Sequence, residues 1–145
     1  MGVLTNRRDM GAYFNAVVSC SPSQQTGGSE SAVTGETIDC QGIESLSFTL
    51  GGDTTLTITE TLAVATEYQD SADGSTWNTA VTITASETLV TSSAGGTETA
   101  IYKTDLKTLS LERYVRFNYT PTLSLGATDT CDLVGIALLE DGAVA

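Results

Sequence analysis

An all-β fold, a single β-sandwich or jelly roll of about eight strands with an extended N-terminal arm, is predicted by three features of this sequence. Apolar residues recur at every second position along most of the chain, the spacing that places them on one face of a strand. Clusters of Gly, Asp, Ser and Pro interrupt this alternation every eight to twelve residues or so, as the turns of a sandwich do. Serine and threonine make up about a quarter of the 145 residues, while helix formers are scarce, with two Met and two Lys. Threonine favours strands and serine favours turns.

Taken in order, residues 1–11 are polar, carry Arg7 and Arg8 side by side, and are read as an extended arm. Residues 12–145 are read as one domain, large enough to bury roughly 70% of the surface its unfolded chain exposes. Tyr13-Phe14-Asn15-Ala16-Val17-Val18 is a short β-prone run, and Ser21-Pro22-Ser23-Gln24-Gln25-Thr26-Gly27-Gly28-Ser29 is expected to form a long loop. From Glu36 the strand pattern is continuous. Leu46, Phe48 and Leu50 share one face of a strand, and Gly51-Gly52-Asp53 is expected to end it in a turn. Leu56 and Ile58 resume the alternation; Leu62, Val64, Thr66 and Tyr68 then face one way, with Ala63, Ala65, Glu67 and Gln69 on the other side.

Asp73-Gly74 is the strongest short-range turn signal, because a type I′ hairpin turn needs positive φ at both central residues. It is expected to join the strand ending at Asp70 to one carrying Trp77. Val81 and Ile83, Leu89-Val90, and Thr99-Ala100-Ile101-Tyr102 supply further strands, while Thr104 to Glu112 fits either a helical turn or a strand entry. In Tyr114 to Thr120, Val115, Phe117 and Tyr119 face opposite to Arg116 and Asn118, and Pro121 places the far end at an edge. Asp129 to Leu139 is apolar enough for a central strand, with Gly135 marking a bulge or close backbone approach. The expected core is Phe48, Leu62, Val64, Val81, Ile83, Val115, Phe117, Leu133 and Ile136.

A net charge of −12 and a pI near 4.1 argue against nucleic acid and against membrane surfaces as partners. There is no run of 18 apolar residues for a membrane span. Asn6-Arg7-Arg8-Asp9 and the apolar run to Val18 are not expected to act as a secretory leader, since the run is short, is broken by Asn15 and leads to no small-residue cleavage site. Cys20, Cys40 and Cys131 are odd in number and lack C-x-x-C spacing, so buried free thiols are expected; a Cys20–Cys40 bridge is the alternative in an oxidising compartment.

The chain has no histidine, which removes Ser-His triads and the commonest zinc ligand. G-x-S-x-G and phosphate-loop motifs are missing too. Eighteen acidic residues on a small domain guarantee chance carboxylate pairs, so the chain is read as no enzyme. Asp70-Ser71-Ala72-Asp73-Gly74 matches half a calcium loop without its regular ligand spacing, and neither a metal nor a cofactor is expected. The Ser71-x-Asp73-Gly74-x-x-Trp77 core resembles the hairpin of discoidin-like carbohydrate-binding modules, but its turn chemistry is generic. Trp77 is read as a core or interface residue, and Tyr68, Asp73, Gly74 and Trp77 as a surface hairpin contact.

Three segments, Tyr68 to Gly74, Arg113-Tyr114-Val115-Arg116-Phe117-Asn118-Tyr119-Thr120, and Cys131 to Leu139, together resemble the small jelly-roll cement proteins that decorate the heads of tailed bacteriophages. The resemblance covers roughly the last eighty residues and rests on pattern, not on a diagnostic motif. It implies a non-enzymatic virion protein on the outer surface of a capsid, stapling neighbouring major capsid protein subunits and self-associating as a homotrimer, with a dimer as second choice. Arg7, Arg8, Tyr13 and Phe14 are the expected partner-binding residues, since aromatic and Arg side chains dominate interface energetics. A carbohydrate-binding head-fibre or adhesin-like domain, or another virion component of tail or head completion, are the rival readings.

Overall fold

Threonine-rich alternation produces eight strands in the computed structural model, which describes residues 14–126 and 128–141. The strands are β1 (Phe14–Thr26), β2 (Ile38–Asp39), β3 (Ile43–Leu56), β4 (Thr61–Ser71), β5 (Val81–Thr91), β6 (Gly96–Lys107), β7 (Tyr114–Leu123) and β8 (Thr130–Asp141). Among the described residues there is no helix, so Thr104 to Lys107 completes β6 and is strand. The arm of residues 1–11, with Arg7 and Arg8, lies outside the described residues, and so does Tyr13.

Two four-stranded antiparallel sheets form, in the orders β1-β8-β3-β6 and β2-β7-β4-β5. The pairs β1 with β8, β2 with β7, β3 with β6 and β4 with β5 are nested like one long hairpin rolled over on itself. That nesting is the jelly-roll arrangement, a double-sheet solution for an eight-stranded antiparallel chain.

Between the sheets, Phe48 of β3 and Phe117 of β7 stack with ring centroids 4.8 Å apart, and Tyr102 of β6 lies 6.5 Å from Phe117. Leu46, Leu50, Leu62, Val64, Val115 and Leu133 close around them, each fully buried. Burial of side chains of this size contributes about 1.5–3 kcal/mol apiece. The Tyr102 hydroxyl shares hydrogen bonds with Thr66 (2.9 Å) and Thr84 (2.7 Å), so the polar tip of this buried ring is satisfied. At one end Asp129, 1% exposed, accepts from both the N–H and the hydroxyl of Thr57, tying the β3–β4 turn to the start of β8.

Several expectations need correction. Of the expected core, Val81 and Ile136 are 46% and 40% exposed. Val81 opens β5, the edge strand of its sheet; Ile83 is only partly buried against the core. Ile136 sits on the outer parity of β8, because Cys131, Leu133, Ala137 and Leu139 take the inner one. Gly51-Gly52 makes no turn: β3 runs straight through it, with Gly52 at φ +153°. A Cβ there would stand 2.0 Å from the carbonyl oxygen of Asp132, so the glycine permits close strand approach.

The segment Ser21 to Thr26 is likewise strand. Register shifts after Val18 and after Cys20 absorb the chain around Pro22, which cannot donate to a ladder. Gly135 does mark a close approach, since a Cβ there would lie 2.9 Å from that of Cys20. The three cysteines are buried and unbridged; burial pushes each thiol up to about 11, and the Cys20 thiol donates to the carbonyl of Phe117 at 3.3 Å.

Candidate interaction site

β4 and β7 pair so that Gln69 lies opposite Arg116 and Glu67 opposite Asn118, all on the outer face. Gln69 Oε1 accepts from Arg116 Nε at 2.9 Å and from Asn118 Nδ2 at 3.0 Å. Asn118 Oδ1 in turn accepts the backbone N–H of Gly35 at 3.0 Å, and Gln69 Nε2 donates to the carbonyl of Asn78 at 3.0 Å. The network fixes the guanidinium of Arg116, and Trp77 covers it with its ring centroid 4.3 Å from the guanidinium carbon. A cation placed over an indole face is attracted by the ring quadrupole.

Trp77 reaches that position from the loop between β4 and β5. Only Gly74 there has positive φ (+77°), so Asp73-Gly74 does not form the expected type I′ turn, and Trp77 sits in the loop instead of on a strand. Self-bonding side chains shape the loop in place of a tight turn. Asp73 Oδ1 accepts from the backbone N–H groups of Ser75 and Thr76, both at 2.8 Å, and from Ser71 Oγ at 3.0 Å. Those donors, Thr76 first, hold the Asp73 carboxyl well below the usual carboxylate range. Asp70 is lowered by the Glu112 N–H, and it also takes the side-chain amide of Asn78. Gly74 packs on the ring of Tyr114, which a Cβ there would meet at 3.5 Å.

Beside this cluster Arg113 forms a two-pronged ion pair with Asp39, Nε to Oδ1 at 3.0 Å and Nη2 to Oδ2 at 2.7 Å. The Arg113 guanidinium holds the Asp39 carboxyl down at about 2, helped by the Gln41 N–H. Both side chains are about half exposed, so the pair stabilises the fold modestly. Two of the chain's six basic residues therefore stand with Trp77 and Tyr114 at one end of the β2-β7-β4-β5 sheet.

Of the expected hairpin contact, Asp73, Gly74 and Trp77 come together there. Tyr68 lies half-buried on the inner parity of β4 with Leu62, Val64 and Thr66, opposite Phe117. Of the expected partner-binding residues, Arg7, Arg8 and Tyr13 lie outside the described residues, and Phe14 is described only through its backbone pairing with Glu140. Arg113, Tyr114 and Arg116 were not among the expected site residues. The signal for Arg116 is its place opposite Val115 and Phe117 in the β7 alternation; nothing local ties it to Trp77, 39 positions away.

A second surface feature, a depression of about 400 Å³ on the other sheet, is lined by Ser45, Lys103, Lys107 and Glu140 among others. Its one hydroxyl–carboxylate contact, Ser45 Oγ to Glu140 at 2.6 Å, joins neighbouring strands β3 and β8. Among the described residues no three Cys, Asp or Glu side chains gather as metal ligands, and the carboxylates of Asp70 and Asp73 accept from the chain's own donors.

No family model and no curated protein matches this sequence. The fold does have solved counterparts. A chain of the VP2 subviral particle of infectious bursal disease virus is similar at a TM-score of 0.52 and 12% identity, over 90% of this chain and 33% of that one. The T13 viral particle of the same virus gives 0.53 and 13%, over 89% and 31%. The PBSX exported protein XepA gives 0.48 and 17%, over 90% and 38%, too loose a likeness to argue from. This chain thus spans about a third of the length of the viral chains it matches, and at these identities what it shares with them is the β-sandwich fold.

Proposed function

We propose that this chain is a non-enzymatic structural protein of a bacteriophage virion, which binds the outer surface of the capsid and stabilises contacts between major capsid protein subunits. The observation that carries this reading is the eight-stranded jelly roll itself, similar to domains in chains of icosahedral viral particles. The acidic balance supports a role outside the packaged DNA. Arg7, Arg8, Tyr13 and Phe14 form the tether, and the Trp77–Arg116 cluster is a second, preorganised contact. Arg and Trp are the side chains that most often carry interface energy, and here both are held in place before any partner arrives. Copies of the chain self-associate on the capsid lattice.

The test is reconstitution with purified phage heads lacking decoration. Wild-type protein is expected to bind at near-stoichiometric ratio to the capsid protein. Deletion of Met1 to Met10 should leave the circular dichroism spectrum unchanged and abolish head binding. Binding at full occupancy after the deletion would move the tether to the folded domain, and no head binding by the wild type would sink the reading. Binding to a glycan array instead would favour the carbohydrate-binding alternative.

A further inference from the structure

We propose that two copies of this chain join through the free edges of β6, antiparallel about a two-fold axis at Thr104, so that Lys103 of each copy faces Asp105 of the other. This needs no capsid and stands or falls apart from the reading above.

Of the four edge strands, three are blunted. β1 is interrupted by two register shifts and by Pro22, and the N–H of Glu36 occupies the carbonyl of Ser19 at 2.8 Å. β2 is two residues long. β5 is broken by three register shifts against β4. These are the devices by which sheets avoid adding a neighbour. β6 has none of them: all twelve residues match β3 without a shift, and among the described residues no strand lies beyond it.

The side chains on β6 show what fits there. Its outer face presents Ile101, Lys103, Asp105 and Lys107, and Ile101 is 65% exposed. Lysines alone would guard the edge by repelling a second copy. Asp105 between them changes this, because a strand reading Lys-x-Asp is its own complement when turned antiparallel. With the axis at Thr104, Lys103 meets the second copy's Asp105 twice over, and the aliphatic stem of Lys107 covers the second copy's Ile101. On the inner face the gain is at Leu106, only partly buried in the single chain, which is set opposite the second copy's already buried Tyr102. An axis at Lys103 or at Asp105 sets like charges directly opposite, which destabilises a pair, whereas opposite charges support it.

The experiment is sedimentation equilibrium of the full chain over a concentration series. Wild type is expected to rise from 15.1 kDa towards twice that mass. The variants K103D and D105K, both at exposed positions, should each fold by circular dichroism and associate at least about tenfold more weakly. An equimolar mixture of K103D with D105K should associate again, because each then supplies the charges the other lacks; the double variant K103D/D105K should do so by itself. A wild type that stays at the single-chain mass overturns the proposal. So does a single variant that dimerises as wild type, or a mixture that stays monomeric.

Discussion

On the outer face of β4 and β7, side chains bond to one another: Gln69, Arg116, Asn118 and Trp77 form one connected group. On the outer face of β1 and β8 they are aliphatic and meet solvent, with Ile136 opposite Val18 and Leu138 opposite Ala16. The interior also packs differently beneath β8 and β7. Under β8 the rings of Phe48 and Phe117 occupy the space, and Phe48 lies directly beside Ala137. Ala137 is the small residue that fits beside the Phe48 ring, and Gly135 is kept small by Cys20 of the neighbouring strand β1, while Leu133 and Leu139 fill the inner parity on either side. Under β7 the inner positions are themselves the large ones, Val115, Phe117 and Tyr119, and the outer parity is free to be polar. On β8 the small residues Gly135 and Ala137 mark the inner parity, which hydrophobicity alone does not distinguish.

Phe117, on the inner parity of β7, and Ile136, on the outer parity of β8, should respond very differently to truncation. Phe117→Ala removes a fully buried ring from the stack and should cost about 3–5 kcal/mol in chemical denaturation. Ile136→Ala trims an outward side chain and should cost under about 0.5 kcal/mol. A loss at Ile136 as large as that at Phe117 would mean that Ile136 belongs to the buried parity of β8.

Next in size is Asn118→Ala on the polar face. It leaves the N–H of Gly35 without its acceptor and Gln69 without one of its two donors, at a site 6% exposed. A buried polar group stripped of its partner costs about 1–3 kcal/mol, and the urea midpoint should fall accordingly. No change in midpoint would show that this network decorates the sheet without holding it.

The same comparison explains what could be read from sequence. In β4 and β7 one parity is apolar and the other polar, so Leu62, Val64, Val115 and Phe117 were legible as core and Arg116 and Asn118 as outer face. In β8 both parities are apolar, alternation gives no contrast, and Ile136, expected in the core, faces outward. Gly51-Gly52 carries the composition of a turn. What requires glycine at 52 is the Asp132 carbonyl, 80 positions away, which local sequence cannot show. Trp77 reads from the sequence as a core or interface residue; its stacking on Arg116 depends on a loop shaped by Asp73 side-chain bonds in place of the tight turn its dipeptide suggests.

A smaller effect is expected from Trp77→Ala, which uncovers the guanidinium of Arg116 while leaving its bond to Gln69. The stability cost should be about 0.5–1 kcal/mol, typical of a cation over a partly exposed ring. The tryptophan is the only one in the chain, so wild-type fluorescence reports this contact directly. Arg116→Ala should alter its emission in the folded protein; unchanged emission would detach Trp77 from the network.

The smallest effect concerns acid. Asp39, Asp70, Asp73 and Glu30 all titrate below their ordinary range, each because it accepts hydrogen bonds: Asp39 first from Arg113, Asp70 from the Glu112 N–H, Asp73 from the Thr76 N–H and Glu30 from the Leu123 N–H. A carboxylate depressed on folding contributes stability that is present above its unfolded value, near 4, and is lost as the pH falls through its folded value. Three of these bonds lie at the end of the β2-β7-β4-β5 sheet near Trp77, so that end should loosen first between about pH 4 and pH 2. Protonation of the other acidic groups works in the opposite direction, because it relieves the repulsion within a chain of net charge −12. The melting temperature should therefore hold level or rise slightly from pH 7 to about 4.5 and fall below about 4. Asp73→Asn keeps an acceptor in the loop but removes its titration, so its curve should start a little lower at pH 7 and fall less steeply below pH 4. Parallel curves for the two proteins would show that the charge of Asp73 does not stabilise this loop.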